Sequence, residues 1–436
     1  KMRMDRARCE LLVSRFQDAM LKGLAGEEEE LKMLPSFVTK LPGGQEQGTF
    51  YALDLGGTNF RVLRVSLQAG EQPQVQQKSF TLSSTHMQGS GAGDLFPFLA
   101  QSIRTTLLEF EASLPPRDNP LPLGFTFSFP MKQTALNSGK LICWTKGFCA
   151  SGVEGEDVVQ LLQAALDQVD VHVSVCALAN DTVGTLMAKR AREARAWIGV
   201  IFGTGTNACY VEKVANIPKL KQEEVREKQM CINMEWGNFG WSETSRDVLP
   251  LTLWDEQLDA DSLNKGQQRL EKLIGGMYLG DLCARMLESA IAAKELSLPL
   301  SSEQLRQAFT SSLASKIEAA SSPADLQQLL QEELKVQVSP PAAQLILEIC
   351  SEVSSRAATV SGCLLAAIVK HMKLVGQEIV VGIDGSIFKL YTRFKERISL
   401  TLEELLGEDG NKVVLELSED GSGVGAAVIA ATAAER

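Results

Sequence analysis

The sequence predicts an α/β fold built from two related halves that face one cleft. Apolar strands alternate with amphipathic helices along its 436 residues, which is typical of sheets covered by helices. The succession of apolar strand, glycine-rich turn and second strand occurs at 49–68 and again at 197–214, which indicates an internal repeat. A chain of this length exceeds what one core normally fills, so more than one domain is expected.

The first half of the chain is predicted to begin with a helix and to continue into a sheet. Residues 5–24 place apolar side chains at three- and four-residue spacing, which predicts an amphipathic helix. Two apolar strands around a Gly-Gly turn predict a β-hairpin over 49–68. Further elements predicted for this half are strands at 74–82, 121–128 and 171–177 and helices at 95–114 and 153–169.

The second half repeats the hairpin and then becomes mostly helical. Residues 305–372 are predicted to be helical, with breaks at 321–325 and at the Pro-Pro pair 340–341. The segments EIVVGIDGSIFKLY and LELSEDGSGVGAAVIAA each predict a strand that leads through a glycine turn into a helix.

Charge and composition exclude several classes of function. The 43 Lys and Arg residues are outnumbered by 54 Asp and Glu, a net charge of −11 without a basic run, which excludes nucleic acid as a main partner. The apolar run at 424–434 is shorter than the roughly 20 residues of a membrane-spanning helix, so no membrane span is expected. Nine cysteines without a Cys-x-x-Cys pair, and a start without an apolar signal core, predict a reducing compartment. We expect a cytoplasmic protein, or one on an organelle surface or in a plastid if an N-terminal segment has been removed.

Four glycine turns are candidates for binding phosphate. Glycine lets successive backbone N–H groups converge on an anion, and helix N-termini favour anions through their free amides. Asp54 precedes the first turn and is a candidate to hold Mg²⁺ through water. Each turn alone also fits an ordinary hairpin or helix cap, whereas four in one chain favour a nucleoside triphosphate. The candidate turn residues are Gly56, Gly57, Thr58 and Asn59, then Gly203, Thr204 and Gly205, then Gly385, and finally Gly421 and Ser422.

The segment FGTGTNA also has the form G-x-G-x-x-A of nicotinamide enzymes. That fingerprint opens a helix, whereas 208–214 alternates as a strand and no acidic ribose partner follows it. This single motif is therefore the only support for the alternative of a nicotinamide oxidoreductase. The sequence contains no G-x-x-x-x-G-K-[ST], which excludes a Walker-type site, and its three histidines have neither metal spacing nor a hydrolytic triad.

A second group of polar residues interrupts apolar segments and is suited to a polyol. Each buried hydroxyl of a polyol both donates and accepts, so its site needs many neutral and carboxylate groups. Asp181 follows a predicted strand, from which a carboxylate can point into a cleft, but it also fits a cap of the next helix. Glu271 taken alone fits a solvated helix face better than a ligand site, whereas Glu235 lies in an apolar run, where an unpaired carboxylate is costly. The candidates of this group are Ser128, Thr145, Lys146, Asn180, Asp181, Glu235 and Glu271.

Nine segments, in chain order, resemble motifs of the eukaryotic hexokinases. The resemblance extends from about residue 49 to about residue 431, and the segments together are far more specific than any one glycine turn. The chain resembles one hexokinase unit and leans towards the plant and algal branch. The segments are FYALDLGGTNFRV, GFTFSFP, WTKGF, NDTVGT, GTGTNACY, NMEWGNF, LEKLIGGMYLG, VGIDGS and DGSGVGAA.

This resemblance implies the actin-like ATPase fold, in which two ribonuclease H-like domains flank a cleft and carry added helices. It implies a large domain made of an N-terminal helix in 1–44 and a body at 181–422. It implies a small domain at 45–180, to which a last helix at 423–436 returns. It also implies ATP-dependent phosphorylation of a hexose, glucose above all, at O6 with Mg²⁺, and we expect a monomer.

Carried over position by position, the resemblance gives the site residues their roles. Asp181 is the implied base, with Lys146 beside the transferring group. A catalytically weak glucose sensor, or an actin-like or chaperone-like ATPase, is the alternative on the same fold, and the intact polar set weighs against it. The implied sugar ligands are Ser128, Thr145, Lys146, Asn180, Asp181, Asn207, Glu235 and Glu271. The implied phosphate contacts are Gly57, Thr58, Asn59 and Thr204, with Asp54 near Mg²⁺, and the nucleoside end meets Gly385, Gly421 and Ser422.

Overall fold

Two mixed β-sheets form the framework of the protein in the computed structural model, which describes residues 2–27, 30–111, 113–220 and 226–434. Residues 1, 28, 29, 112, 435 and 436, which belong to predicted domains and helices, lie outside the described residues, as do 221–225. The strands are β1 (Leu34–Pro35), β2 (Gly48–Leu55), β3 (Asn59–Leu67), β4 (Gln74–Thr81), β5 (Leu121–Phe127), β6 (Met131–Ala135), β7 (Ser138–Leu141), β8 (Val173–Ala179), β9 (Ala196–Phe202), β10 (Thr206–Lys213), β11 (Gln229–Asn233), β12 (Ile379–Asp384) and β13 (Val413–Leu417).

Helices cover both sheets and form most of the chain between β11 and β12. The α-helices are α1 (Arg6–Ala25), α2 (Ser84–Gln88), α3 (Phe96–Phe110), α4 (Val158–Gln168), α5 (Asp181–Arg190), α6 (Glu243–Arg246), α7 (Leu253–Asp261), α8 (Arg269–Ile274), α9 (Gly276–Ala292), α10 (Ser302–Ala308), α11 (Ser311–Ala319), α12 (Pro323–Leu334), α13 (Pro340–His371), α14 (Ser386–Leu390), α15 (Phe394–Leu406) and α16 (Gly421–Ala434).

The two sheets share one strand plan. The first sheet has the order β4-β3-β2-β5-β8, in which β2, β3 and β4 are antiparallel and β2, β5 and β8 run parallel. The second sheet has the order β1-β11-β10-β9-β12-β13, in which β9, β10 and β11 are antiparallel and β9, β12 and β13 run parallel. The predicted α/β class and the internal repeat are therefore confirmed, with the short β1 as an addition to the second sheet.

Helices α5 and α16 lie between the two sheets, and their backbones approach closely. Helix α5 follows β8 of the first sheet and packs on β9, β10 and β12 of the second, whereas α16 follows β13 and packs on β2, β5 and β8 of the first. A Cβ on Gly425 would overlap the carbonyl group of Gly184, and a Cβ on Gly184 would lie 2.6 Å from the carbonyl oxygen of Ser422. This crossing therefore requires glycine on both helices.

The long helix α13 forms the centre of the helical region beside the second sheet. It packs with α1, α9, α11, α12 and α15 in one apolar core. The predicted breaks are found, but just ahead of the prolines, at 320–322 and 335–339. Helices α12 and α13 begin at Pro323 and Pro340 themselves, because proline suits the first turn of a helix. Helix α13 is long and apolar enough to cross a membrane, but 83% of its apolar window is buried inside the protein. The predicted absence of a membrane span was based on the apolar run at 424–434 and did not take this longer helix into account.

Some predicted boundaries differ in the structure because caps and turns set them. The helix predicted at 153–169 is α4, which begins at Val158 because the side chain of Asp157 accepts hydrogen bonds from the next backbone N–H groups. The helix predicted at 95–114 is α3, which follows a π-helical turn at Gly91–Leu95 and ends at Phe110. The domain boundaries given above remain a prediction.

Candidate active site

Asp181 lies in the first turn of α5, immediately after β8 of the first sheet. Asn180 is the N-cap residue, and its Oδ1 accepts hydrogen bonds from Thr182 N at 3.0 Å and from Thr182 Oγ1 at 2.8 Å. Asp181 Oδ1 accepts from the same N–H at 2.8 Å. Asn180 therefore fills the capping role that the sequence left open for Asp181, whose carboxylate is anchored by a single backbone donor.

The surroundings of Asp181 hold its pKa above the ordinary aspartate value. Burial raises the pKa, the charge of Lys146 and the hydroxyl of Ser128 lower it, and the charge of Asp54 raises it again. These groups therefore lie within interaction range of the Asp181 carboxylate. The structure thus brings together residues that lie 127 positions apart in the sequence, from Asp54 to Asp181.

A network of amides and one carboxylate lies on one side of Asp181. Asn207 Nδ2 lies 2.8 Å from Asn233 Oδ1, 3.3 Å from Glu235 Oε1 and 3.4 Å from Asn180 Oδ1. Asn233 Nδ2 in turn donates to Glu235 Oε1 at 2.8 Å. The network joins the end of β8 to β10 and β11, so residues of both sheets meet in it. Shared donors and acceptors of this kind fix the orientation of each member.

Glu235 has a left-handed backbone conformation, with φ of 53°, between β11 and a 3₁₀ turn at Trp236–Asn238. Such a φ is uncommon for residues other than glycine and recurs at functional sites. Burial raises the pKa of Glu235, the Asn233 hydrogen bond and the charge of Lys32 lower it, and the charge of Asp181 raises it again. The unusual backbone turn therefore presents this carboxylate to the same site as Asp181.

Glu271 projects from α8 toward the turn between β9 and β10. Its Oε2 accepts a hydrogen bond from Thr206 N at 3.2 Å, and a Cβ on Gly205 would overlap this carboxylate. Burial raises the pKa of Glu271, the Thr206 amide and the charge of Lys146 lower it, and the charge of Glu235 raises it. The sequence left open that Glu271 lies on a solvated face of its helix, and the structure shows that its carboxylate does not.

The loop that carries Thr145 and Lys146 reaches the site from the first sheet. Lys146 has a φ of 57°, and its Nζ donates to Ser128 O at 2.8 Å and to Gly56 O at 3.0 Å. Lys146 Nζ also lies 5.4 Å from the centre of the Phe129 ring. The Ser128 hydroxyl is buried close enough to the Asp181 carboxylate to lower its pKa, but it makes no hydrogen bond of ordinary geometry with the described residues. An unpaired buried hydroxyl is costly, which is the property expected of a group that a polar ligand satisfies.

Two glycine turns of equal length lie at matching positions in the two sheets. The turn between β2 and β3 comprises residues 56–58, and the turn between β9 and β10 comprises residues 203–205. Thr58 O and Asn59 Oδ1 each accept a hydrogen bond of 2.8 Å from residues at the end of β4. Gly203 O and Thr204 O accept from the first backbone amides of α9 at 2.8 and 3.0 Å. Both turns are therefore braced by a neighbouring element.

Asp384, at the end of β12, joins the two turns predicted to meet the nucleoside. Its Oδ1 accepts from Gly385 N at 2.6 Å and its Oδ2 from Gly421 N at 3.2 Å. Gly385 has a φ of 116°, and a Cβ there would lie 2.7 Å from Gly203 N. Burial raises the pKa of Asp384, which these two amides oppose. The second, third and fourth glycine turns therefore lie against one another.

Asp54, at the end region of β2, connects the first glycine turn with α16. Its Oδ2 accepts hydrogen bonds from Arg61 Nη2 at 2.7 Å and from Ser422 Oγ at 2.9 Å. Arg61 Nη1 also donates to Asp420 Oδ1 at 2.7 Å. This small ionic cluster spans the β2–β3 hairpin and the start of α16.

The residues around Asp54 fit a magnesium ion that is held through water. Both hydrogen bonds made to Asp54 by the described residues fall on Oδ2, which leaves Oδ1 for a water of hydration. Mg²⁺ keeps several waters and is often held by one or two carboxylates together with substrate phosphates. No group of three or more His, Cys, Asp or Glu side chains suited to direct metal binding is found in the described parts of the chain.

Sequence reasoning missed several residues of this site. Asn233 and Arg61 occur within quoted motifs, but alternation along a strand gives no sign of a partner on another strand. Asp384 and Asp420 stand directly before the glycines of the motifs VGIDGS and DGSGVGAA, and neither is among the candidate site residues, although both carboxylates make specific hydrogen bonds. A signal was present in the repeated Asp-Gly dipeptides, since an aspartate before a glycine turn recurs at both positions.

The fold and the site together define the class of sugar kinases on the actin-like ATPase fold. The carboxylates of Asp181 and Glu235 adjoin a polar network suited to a polyol, and Lys146, whose charge acts on Asp181, donates to Gly56 of a glycine turn suited to phosphate.

Comparisons with known proteins identify the family within this class. Residues 1–191 and residues 197–432 match two family models, both described as hexokinase. The chain is 40% identical to Hexokinase-7 of Oryza sativa subsp. japonica over 98% of this chain and 93% of that protein. It is 40% identical to Hexokinase-3 of Homo sapiens over 96% of this chain but only 45% of that protein, so it spans less than half of the human relative.

The structure is similar to a solved hexokinase from Schistosoma mansoni complexed with glucose, with a TM-score of 0.87 and 36% identity over 99% of this chain and 96% of that one. A second hexokinase crystal structure matches with a TM-score of 0.85 and 32% identity. The chain belongs to the hexokinase family, whose members are ATP-dependent hexose kinases.

Proposed function

We propose that this chain transfers the γ-phosphoryl group of Mg-ATP to O6 of a hexose, with glucose as the expected substrate. The main support is that two groups of residues meet at Asp181: the Asn207–Asn233–Glu235 network, which reaches the neighbouring Asn180, and Lys146, which donates to Gly56 of the first glycine turn. The relative from Schistosoma mansoni, which has the same fold, is described as complexed with glucose.

In the proposed reaction, O6 of the sugar attacks the γ-phosphorus of ATP, and Asp181 accepts the hydroxyl proton. The O6–phosphorus bond forms, the bond from the γ-phosphorus to the bridging oxygen breaks, and ADP leaves with that bond's electrons. A base with a raised pKa is a stronger proton acceptor, which suits this role. Asn207, Glu235 and Glu271 would hold the ring hydroxyls so that O6 faces Asp181.

The charges on the phosphates are proposed to be offset by amides and by one lysine. The turns at 56–58 and 203–205 would supply backbone donors, and Lys146 would lie beside the transferring group. Asp54 would hold Mg²⁺ through water, and the ion, when bound, would neutralise part of the charge of the phosphates. Gly385, Gly421 and Ser422 would meet the nucleoside end. The proposal extends to a monomer in the cytoplasm; the nine cysteines are without disulfides among the described residues, which agrees with a reducing compartment.

The substitution Asp181→Asn tests this proposal. The variant should lose about 10²- to 10⁴-fold in kcat while glucose affinity is retained, because it removes the base but keeps the shape. ADP and sugar phosphate are measured with glucose and Mg-ATP, and glucose binding is measured by calorimetry. Asp157→Asn is the matched control, since Asp157 also lies at a helix N-terminus, that of α4.

Two outcomes would contradict the proposal. If Asp181→Asn retains most of the wild-type rate, Asp181 is not the base. If the wild-type chain binds glucose but forms no sugar phosphate, the protein is a glucose sensor on the same fold instead.

A further inference from the structure

Glu30 is a buried carboxylate that the proposed reaction does not use. The residue is only 2% exposed, and its Oε1 accepts hydrogen bonds from three successive backbone N–H groups, those of Gly240 at 2.7 Å, Trp241 at 2.8 Å and Ser242 at 3.3 Å. The hydroxyls of Ser242 and Ser245 also lie within hydrogen-bond distance of this carboxylate. One side chain from the region before β1 therefore holds a loop that begins 210 residues further along the chain.

The three amides form a nest for an anion, and Glu30 occupies it. Successive N–H groups that converge on one oxygen favour a negative charge, and Gly240 has a φ of 93°, which glycine adopts readily. Hydrogen bonds to an ionised acceptor are roughly twice as strong as those between neutral groups. Without the carboxylate, the buried Gly240 amide would lose its partner, which is costly.

The loop that Glu30 holds begins directly after the turn that presents Glu235. Gly240 lies five residues after Glu235. Immediately before Glu235, Met33 N donates to Met234 O at 3.2 Å. One short segment, 30–33, therefore holds the chain on both sides of this turn.

Glu235 needs such support because of its backbone conformation. A left-handed φ, here 53°, is unfavourable for a residue other than glycine and persists where the surrounding structure enforces it. Asn207 and Asn233 donate to the Glu235 carboxylate, and these bonds orient the side chain rather than the backbone. The contacts of the 30–33 segment constrain the backbone itself.

The 30–33 segment is in turn fixed to α1. Lys219 Nζ donates to Gly23 O of α1 and to Lys32 O, both at 2.8 Å. A Cβ on Gly23 would lie 2.3 Å from Leu31 O, so the helix and the segment are in close contact. Glu30 therefore joins the loop at 240–242 to a segment that α1 holds in place.

We propose that Glu30 is a positioning residue for the sugar: by occupying the amide nest at 240–242, it holds the turn that presents the Glu235 carboxylate to the sugar. This inference rests on the proposed function for the identity of the ligand. Glu30 acts through Glu235 and not by contact with the reacting atoms.

The test measures binding of glucose and of a non-hydrolysable Mg-ATP analogue by calorimetry. Glu30→Ala should raise the Kd for glucose about tenfold, because the amides after the Glu235 turn lose their partner. The Kd for the analogue should stay within about twofold of wild type, since effects on distant groups are largely independent. Glu30→Gln keeps an oxygen acceptor but loses the charge, so its Kd for glucose should lie between those of wild type and Glu30→Ala.

Glu212→Ala is the matched control. Glu212 is also a buried glutamate, 4% exposed, and its carboxylate accepts from the backbone amide of Lys213 and from several side chains. It lies on β10 five residues beyond Asn207, near the end of the strand away from the sugar network. This variant should lose stability but keep the Kd for glucose within about twofold of wild type.

A double variant separates positioning from a general structural role. In Glu235→Gln, the carboxylate that Glu30 is proposed to position has lost its charge. Adding Glu30→Ala to Glu235→Gln should therefore raise the Kd for glucose by a clearly smaller factor than in the wild-type background. A purely structural role of Glu30 would give the same factor in both backgrounds.

Any of four results would overturn the inference. These are a wild-type Kd for glucose in Glu30→Ala, an equal loss of analogue binding, the same loss of glucose binding in Glu212→Ala, or the same factor in both backgrounds. If Glu30→Ala does not fold, Glu30→Gln takes its place in every comparison, with an increase of about threefold in the Kd for glucose as the expected result. A wild-type chain that binds glucose but forms no sugar phosphate would contradict the proposed kinase reaction alone, because these binding constants need no turnover.

Discussion

At the scale of single residues, the pKa of Asp181 is set by opposing effects of its surroundings. Burial and the charge of Asp54 favour the protonated acid, whereas Lys146 and Ser128 favour the ionised base. The first pair prevails, so the pKa is raised. A carboxylate with a raised pKa becomes a base only as the pH rises through that higher value. As the pH is lowered, activity should therefore be lost at a higher pH than with an ordinary aspartate.

This balance predicts the pH dependence of the reaction. The acid limb of kcat/KM for glucose should have its midpoint above the ordinary aspartate pKa, and Lys146→Met should move that midpoint to higher pH because it removes a charge that favours the base. The measurement is a pH profile at saturating Mg-ATP. Lys140→Met, an exposed lysine on β7, is the control and should leave the midpoint in place. A midpoint that moves to lower pH in Lys146→Met would refute the assignment.

Residue chemistry within motifs could be predicted from the sequence, but contacts between distant motifs could not. Asp181 was a candidate because it follows a predicted strand, and Glu235 because a carboxylate among apolar neighbours needs an explanation. Asn233 and Arg61 looked like ordinary members of strands, since their partners lie on other elements. Which side chains meet across strands is decided by sheet order and register, and neither is encoded in local periodicity.

At the scale of elements, the C-terminal end of α13 is fixed to the second sheet by one hydrogen-bonded cluster around Glu212. His371, the last residue of α13, places Nε2 at 2.6 Å from Glu212 Oε2 on β10. Tyr210 donates its hydroxyl to the same oxygen at 2.8 Å, and Asn216 donates to Oε1 at 2.8 Å. Burial would raise the pKa of Glu212, but these partners lower it overall.

A lowered carboxylate pKa predicts how stability depends on pH. Glu212 should contribute stability above its pKa in the unfolded chain, and this contribution should be lost as the pH falls through its lower folded value. In Glu212→Gln, the acid side of the curve of unfolding free energy against pH should therefore be flatter than in wild type. Chemical denaturation at several pH values measures this dependence of the unfolding free energy on pH. The control is Glu348→Gln, because Glu348 is an exposed glutamate on α13. An unchanged slope in Glu212→Gln would contradict the argument.

The crossing of α5 and α16 makes a second prediction at this scale. Alanine at 425 would place its Cβ against the backbone of Gly184, which cannot yield, whereas alanine at 423 would meet the movable side chain of Leu63 at 2.7 Å. Gly425→Ala should therefore cost about 1–3 kcal/mol of unfolding free energy, and Gly423→Ala clearly less, since alanine is otherwise favoured in helices. Thermal and chemical unfolding of both variants provides the comparison. Equal stability of the two would mean that the helices separate readily.

Element types could be predicted more reliably than their ends. The strands of both hairpins and most helices were expected from apolar periodicity. The start of α4 was not, because it depends on the cap that Asp157 supplies. The close contact of α5 with α16 was also not predictable, because the glycines that permit it lie 241 residues apart.

At the scale of the whole molecule, the proposed sugar ligands come from both sheets. Ser128, Thr145 and Lys146 belong to the proposed small domain, whereas Asn207, Glu235 and Glu271 belong to the proposed large one. Helices α5 and α16 connect the two sheets, and Asp181 lies at the start of one of these connectors. A sugar held by both sets of residues therefore links the two domains directly, in addition to the helices.

Glucose is accordingly expected to favour a closed arrangement of the two domains. A ligand shifts a conformational equilibrium by its difference in affinity for the two states, and only closure lets both sets of ligands bind one sugar. Closure would also keep water, a competing nucleophile, away from the phosphate. Mg-ATP alone should have a smaller effect. Small-angle scattering should show a smaller radius of gyration with saturating glucose than without it. In Glu235→Gln one protein group that holds the sugar is weakened, so this variant should need a higher glucose concentration for the same change. Superimposable scattering curves for the wild-type protein with and without glucose would show that the domains do not close on the sugar.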